Sequence, residues 1–293
     1  MLLVLNVAVP ERSGAQSVPH CSAFAAGGPA CDAAPIGSTP GGDAERFVAN
    51  PIDVVTGNKY QYREDYRAFG SRLAFSRHYN TAQTDADVGL GRGWRHDYAV
   101  SLARAGDTTV RLYQSDGRQV DFEAVGVDAA LEAGVSTEAL STGATAHLPR
   151  DASDGYLLLG DGALWRLPDG RELEFEGRYL VAVSWPDGDR LELGYRGGRL
   201  ARVTDRHGRS LRLEYTPGAM GLDKWDSRAS VSLPGHLERV VLPNGEALEY
   251  RYDNRRNLVR VDDGTGPIER LAYADESWPN HLTGLDAEDG RRR

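Results

Sequence analysis

The second half of the chain says nearly the same thing several times, and this repetition limits its fold more than any single side chain does. Three stretches align without gaps: Leu191, Leu193, Tyr195; Leu211, Leu213, Tyr215; and Leu248, Tyr250, Tyr252. Each alternates apolar with charged or small residues, the period of a strand with one buried face.

A second set of strands follows the first. Leu180 is followed three positions later by Val183, Leu200 by Val203, Leu237 by Val240 and Leu258 by Val261, with Leu282 and Leu285 a looser fifth pair. Between strands sit Pro168-Asp169-Gly170, Pro186-Asp187-Gly188, Arg206-His207-Gly208 and Pro243-Asn244-Gly245. In such turns Pro presets φ and Gly supplies the positive φ of a tight hairpin. Gly170 and Gly188 lie 18 residues apart, and Gly188 and Gly208 lie 20 apart. A unit this short cannot bury its own apolar face, so neighbouring hairpins must stack and share one core.

Tyr252-Asp253 followed by Asn257-Leu258-Val259-Arg260-Val261 resembles the tyrosine-aspartate repeat of the bacterial Rhs family. Three motifs in the first half agree in order and spacing: Asn50 to Asn58, Leu73 to Asn80, and Gly89 to His96. They resemble the domain of unknown function that precedes those repeats. The two parts together cover roughly residues 46 to 290. Only Tyr252-Asp253 has the full repeat form, since Tyr195 and Tyr215 are followed by Arg196 and Thr216.

The resemblance implies an all-β fold, in which antiparallel β-hairpin repeats stack into a spiral sheet, a partial shell or solenoid, behind a small antiparallel β domain. It implies a non-enzymatic structural role in a secreted toxin, as part of a shell that encloses a C-terminal toxin and delivers it in competition between bacteria. On this view the chain is an N-terminal part without a toxin. Its partners are the remainder of the shell, the toxin domain and an immunity protein. A cell-surface adhesion or carbohydrate-binding module is the alternative, with a cell-surface glycan as partner.

Composition fits many short strands: 34 Gly and 14 Pro stand against 6 Phe and 2 Met, and 40% hydrophobic content suffices for a core. A net charge of −9 argues against nucleic acid, because an acidic surface repels phosphate, and Arg291-Arg292-Arg293 is too short to be a basic stripe. Met1 to Pro10 reads as the apolar centre of a secretory signal, with Ser13-Gly14-Ala15 as its cleavage site; a plain N-terminal strand or leader is the other reading. No membrane segment beyond that leader is expected, and the location expected is secreted or cell envelope. Cys21 and Cys31 would bond to each other in an oxidising compartment and stay free thiols in a reducing one. Without a Cys/His ligand set they do not suggest zinc.

The chain divides into a leader (1–15), a Gly/Ala/Pro/Ser-rich linker (16–45), a leading β domain (46–123), an irregular insertion (124–155), for which a short helix around Leu131 to Leu140 is the other reading, and the hairpin repeats (156–293). A second insertion, Thr216 to His236, stretches one repeat: Gly208 and Gly245 lie 37 residues apart.

No catalytic, cofactor or metal residue is assigned. His78, Arg95, His96 and Asp97 cluster in sequence, but no nucleophile or orienting group accompanies them, and strand-locking is the expected role. Gly89-Leu90-Gly91-Arg92-Gly93 lacks the helix and Lys-Ser/Thr of a phosphate loop and reads as a bend. Asp85 with Asp87, and Asp187 with Asp189, lack the spacing of a calcium loop. Trp165, Trp185, Trp225 and Trp278 are the candidates for an exposed glycan-binding face. Tyr195, Tyr215 and Tyr252 share the parity of the leucines and are expected to be buried. A glycosidase would need two convergent carboxylates, and no pair stands out.

Overall fold

The computed structural model describes residues 47–48, 52–53, 58–85, 87–222, 230–233 and 235–287. The leader, the linker, Cys21, Cys31 and Trp225 lie outside the described residues. Short strands β1 (Phe47–Val48) and β2 (Ile52–Asp53) pair with each other. Strands β3 (Tyr60–Arg67), β4 (Ala74–Asn80) and β5 (Trp94–His96) form a three-stranded antiparallel sheet with β4 in the middle.

A sixteen-stranded antiparallel sheet follows. Its first part comprises β6 (Ser101–Arg104), β7 (Thr109–Tyr113), β8 (Gln119–Ala124), β9 (Thr145–Pro149), β10 (Tyr156–Leu159), β11 (Ala163–Arg166), β12 (Glu172–Glu176) and β13 (Tyr179–Ser184). Next come β14 (Arg190–Arg196), β15 (Arg199–Asp205) and β16 (Ser210–Tyr215). The excursion β17 (Ala219–Leu222) and β18 (Ser230–Leu233) pairs only with itself, within the segment 216–236 read as an insertion. The sheet resumes with β19 (Leu237–Val241), β20 (Ala247–Tyr252), β21 (Leu258–Asp262), β22 (Pro267–Ala272) and β23 (Gly284–Ala287).

Strand β13 shows how the sheet rolls. It lies along β12, pairs with β14 through Ala182–Ser184, and meets β6 where Tyr179 pairs with Ser101. The Leu102 N–H also donates to the Arg178 carbonyl at 3.2 Å. Strands β6–β13 thus complete one turn, and β14–β23 carry the sheet onward as a spiral. This first turn is packed solid by Leu112, Phe122, Leu157, Trp165, Leu173 and Phe175, each at most 2% exposed.

The curvature has a repeated local cause. Register shifts fall at Glu174/Phe175, Gly194/Tyr195, Glu214/Tyr215 and Arg251/Tyr252, the same place in four hairpins. Beyond each shift the aromatic residue pairs with a leucine: Phe175 with Leu180, Tyr195 with Leu200, Tyr215 with Leu237 and Tyr252 with Leu258. In a regular strand, residues three apart face opposite sides. One bulged residue per strand (Val181, Ala201, Glu238 and Val259) brings both Leu and Val to the core side, where all eight are 4% exposed or less. Such bulges bend a strand and increase its twist.

The sheets do not divide where the leading segment 46–123 ends: β6–β8 belong to the large sheet, so the break between sheets falls between His96 and Ser101. The stretch 124–155, expected to be irregular, contains helices α1 (Val127–Glu132) and α2 (Thr137–Ser141) and strand β9, which pairs on both sides. Ser136 caps α2 by accepting from the Ala139 N–H at 3.2 Å, the reason serine is favoured there. Beneath α1, Ala130, Val135, Ala146 and Leu158 form a small second core on the other face of β9 and β10.

A candidate functional site at the seam between the two sheets

Every residue of β4 is buried, including Ser76, Arg77, His78 and Asn80. A strand covered on both faces normally reads as a continuous apolar run, so each buried polar group here needs a partner. Alternation sends Arg77 to one side and His78 to the other.

On the first side, Arg77 reaches across to the repeats. Its Nε and Nη2 donate to Asp65 at 2.6 and 2.8 Å, and Nη2 also donates to Glu269 at 2.9 Å. Arg63 donates to the other Glu269 oxygen at 2.6 Å, and the Tyr250 hydroxyl donates to Asp65 at 2.9 Å. The guanidinium lies 4.9 Å from the Trp94 ring centroid, a cation–π distance. Burial disfavours the Arg77 charge, but Asp65 and Glu269 outweigh it and hold its pKa above the ordinary value. Removing one member of such a buried set strands the other charges.

On the second side, His78 joins Tyr60 (2.6 Å to Nδ1) to Asp97 (2.8 Å to Nε2). Burial holds the Tyr60 phenol far above its ordinary pKa, so it stays protonated, and the two ring nitrogens of His78 bridge that hydroxyl and the Asp97 side chain. Tyr60, His78 and Asp97 are 2, 6 and 7% exposed. The array has the order of a proton relay, yet its closed position suits it to lock β3 and β4 to the segment after β5. His96 alongside is held at about 4 by burial, and burial raises the Asp116 carboxyl.

The glycine-rich segment makes a further anchor. The Leu237 N–H donates to the Gly89 carbonyl at 2.6 Å, and the Arg92 N–H donates to the Arg256 carbonyl at 3.1 Å. A Cβ on Gly91, whose φ is +89, would lie 2.9 Å from the Leu258 nitrogen. Backbone against backbone is therefore why glycine stands there. Asp87 accepts from Arg256 at 2.7 Å, from Gly89 N–H at 2.8 Å and from His236 at 3.1 Å. Burial pushes its carboxyl up, but these hydrogen bonds outweigh burial and hold it at about 2.

The seam continues to both ends. Ser71 donates to Asp205 at 2.8 Å, and Arg72 donates to Asp187 at 2.6 Å. Trp94 Nε1 donates to the Tyr273 hydroxyl at 3.0 Å, while Tyr79 links the Asn280 carbonyl (3.0 Å) to the Leu282 N–H (2.9 Å). The leading sheet is thus fastened to successive hairpins from the turn after β13 to the start of β23.

Of the residues singled out from sequence, Trp165 and Trp185 are core residues, 2 and 8% exposed, which corrects their place on an exposed face. Trp278 is 60% exposed and stacks on His281 at 5.0 Å. Tyr195, Tyr215 and Tyr252 are half-buried rather than buried, because each sits at a bulge. The hydroxyls of Tyr195 and Tyr252 donate to the Leu180 and Leu237 carbonyls, both at 2.8 Å. Asp187 and Asp189 both face Arg72. Among the described residues no group of three or more His, Cys, Asp or Glu is arranged to hold a metal ion. Asp65, Glu269 and Tyr60 were not singled out, and Asp87 was considered only as half of a rejected calcium pair. The only signal for them was indirect: Arg77 and His78 inside an apolar strand imply buried partners.

A family described as Domain of unknown function (DUF6531) matches residues 49–122. That stretch contains β3–β5 and continues through β6 and β7 into β8, across the break between the two sheets. No curated protein matches the chain.

Proposed function

We propose that the chain is a non-enzymatic structural part of an Rhs/YD-repeat secreted toxin. It forms a stretch of shell wall that encloses a C-terminal toxin and takes part in its delivery between competing bacteria. The observation that carries this reading is the bulge repeated in four successive hairpins. It curves the sheet by a rule that further copies of the unit can extend. The seam supports the reading too, since its buried polar groups serve to fasten one layer to another. The partners are further shell repeats, the toxin domain and its immunity protein, and the location is secreted or cell envelope.

The test is to express the native locus, with all sequence downstream of this segment, in cells lacking its neighbouring genes, and to purify the product through this segment. The proposal expects a longer polypeptide whose distal domain resists protease while enclosed and stops growth when expressed alone in the cytosol. A product of about 32 kDa with no attached or associated toxic domain would contradict it.

A further inference from the structure

Four turns of the repeat region share one hydrogen-bond plan. The N–H of Gly170, Gly188, Gly208 and Gly245 donates to the carbonyl three residues back, at 2.9–3.0 Å. In three of them the side-chain oxygen just before the glycine accepts from the N–H just after it: Asp169 from Arg171, Asp187 from Asp189 and Asn244 from Glu246, each at 3.1 Å. Only the last carries an amide. Asn244-Gly245 is also the sole Asn-Gly pair in the sequence.

We propose that Asn244 is a site of spontaneous covalent modification, deamidating through the Gly245 peptide nitrogen to aspartate and isoaspartate. Asn244 Oδ1 accepts from the Glu246 N–H, a bond that curls the side chain forward over the Gly245 peptide, the direction that ring closure through the Gly245 nitrogen requires. Both residues are exposed, and a Cβ on Gly245 would meet nothing within 4 Å, so no packing opposes ring closure. Solvent base removes the Gly245 amide proton, and the nitrogen bonds to Cγ. Nδ2 then takes a proton from solvent, the Cγ–Nδ2 bond breaks and ammonia leaves. Water opens the five-membered imide at either carbonyl, giving aspartate or isoaspartate. The turns at Asp169-Gly170 and Asp187-Gly188 have the same side-chain bond but carry carboxylates, whose negative charge makes Cγ a poor electrophile, and the turn at Gly208 has His207 before its glycine.

The aspartate product already has a precedent in the chain. Asp187-Gly188-Asp189 shows the same turn with two acids flanking glycine, and there Arg72 faces both. At 244 the change replaces a 2.7 Å hydrogen bond from Asn244 Nδ2 to Glu246 with two like charges. Isoaspartate adds a backbone atom to the turn joining β19 and β20, so it loosens that hairpin more than aspartate does.

The test incubates the purified full chain in mildly alkaline buffer at physiological temperature, followed by peptide mapping and isoaspartyl methyltransferase labelling. The expected result is amide-to-acid mass gain and methyl labelling in the peptide containing residue 244, faster at higher pH. Asn254, exposed but followed by Arg255, should stay unchanged. Asn244→Gln should abolish the signal, and Asn244→Asp should fold normally without the mass gain. Conversion in the denatured but not the folded chain would show that the Gly245 N–H bond to Leu242 locks the turn, and would overturn the proposal. So would equal conversion at Asn254.

Discussion

Strands β4 and β16 are both antiparallel, yet they are held by different means. All seven residues of β4 are buried, four of them polar, whereas β16 alternates buried Leu211 and Leu213 with exposed Arg212 and Glu214. In β16 any apolar residue of suitable size would serve, because stability comes from area removed from water. In β4 each polar side chain has a specific partner, one of them 192 residues away in sequence. Substitution in the leading sheet should therefore act through lost pairing at long range, and substitution in the repeats through lost volume.

The largest effect tests this contrast at Arg77. Arg77→Ala leaves Asp65 and Glu269 buried with fewer cations and should cost about 3–5 kcal/mol in chemical denaturation. A loss below about 1 kcal/mol would mean the pairing is incidental. Leu211→Ala, at a fully buried repeat position, should cost about 2–4 kcal/mol. Leu211→Met should recover most of that, whereas Arg77→Lys should recover little, because the forked geometry is lost.

Acid sharpens the comparison next. His96 in the leading sheet has an ordinary value of 6.5 and a folded value of about 4. Its folded pKa is depressed, so the unfolded chain binds the extra proton. Stability from this group is complete above pH 6.5 and declines as pH falls toward 4, by up to about 3 kcal/mol. Asp87 contributes in a lower window: its pKa falls from 3.8 to about 2, so its share is lost between those values. Denaturation midpoints across pH for wild type and His96→Leu should converge toward pH 4. Parallel curves would sink the assignment. Smallest is Tyr252→Phe, which removes the hydroxyl bond to the Leu237 carbonyl and should cost about 1 kcal/mol in the same assay.

How much of this was legible in the sequence follows the same division. Turns such as Pro186-Asp187-Gly188 and the alternation of Leu191 and Leu193 rest on local rules, and the hairpins are where those rules place them. The spacing of Leu180 and Val183 was visible, but its meaning was not, because a bulge is defined by the neighbouring strand. The two helices of 127–141 fall where a short helix around Leu131 to Leu140 was the other reading of the insertion; Gly134 and Ser136 interrupt the apolar residues there, which made a loop read equally well, although Ser136 was a capping signal. At the seam, Arg77 and His78 announced buried partners without naming them. Nothing local connects Asp65 to Tyr250, or Arg77 to Glu269, since the sheet's path decides what meets across it.

The central claim is that buried polar pairing fastens the leading sheet to the later hairpins, while the first turn of the spiral closes on itself. Hydrogen exchange with mass spectrometry on Arg77→Ala tests this most directly. The account predicts faster exchange in β3–β5 and β20–β22, with β7–β12 keeping wild-type protection. Unchanged protection of β4, or equal loss in β7–β12, would contradict it.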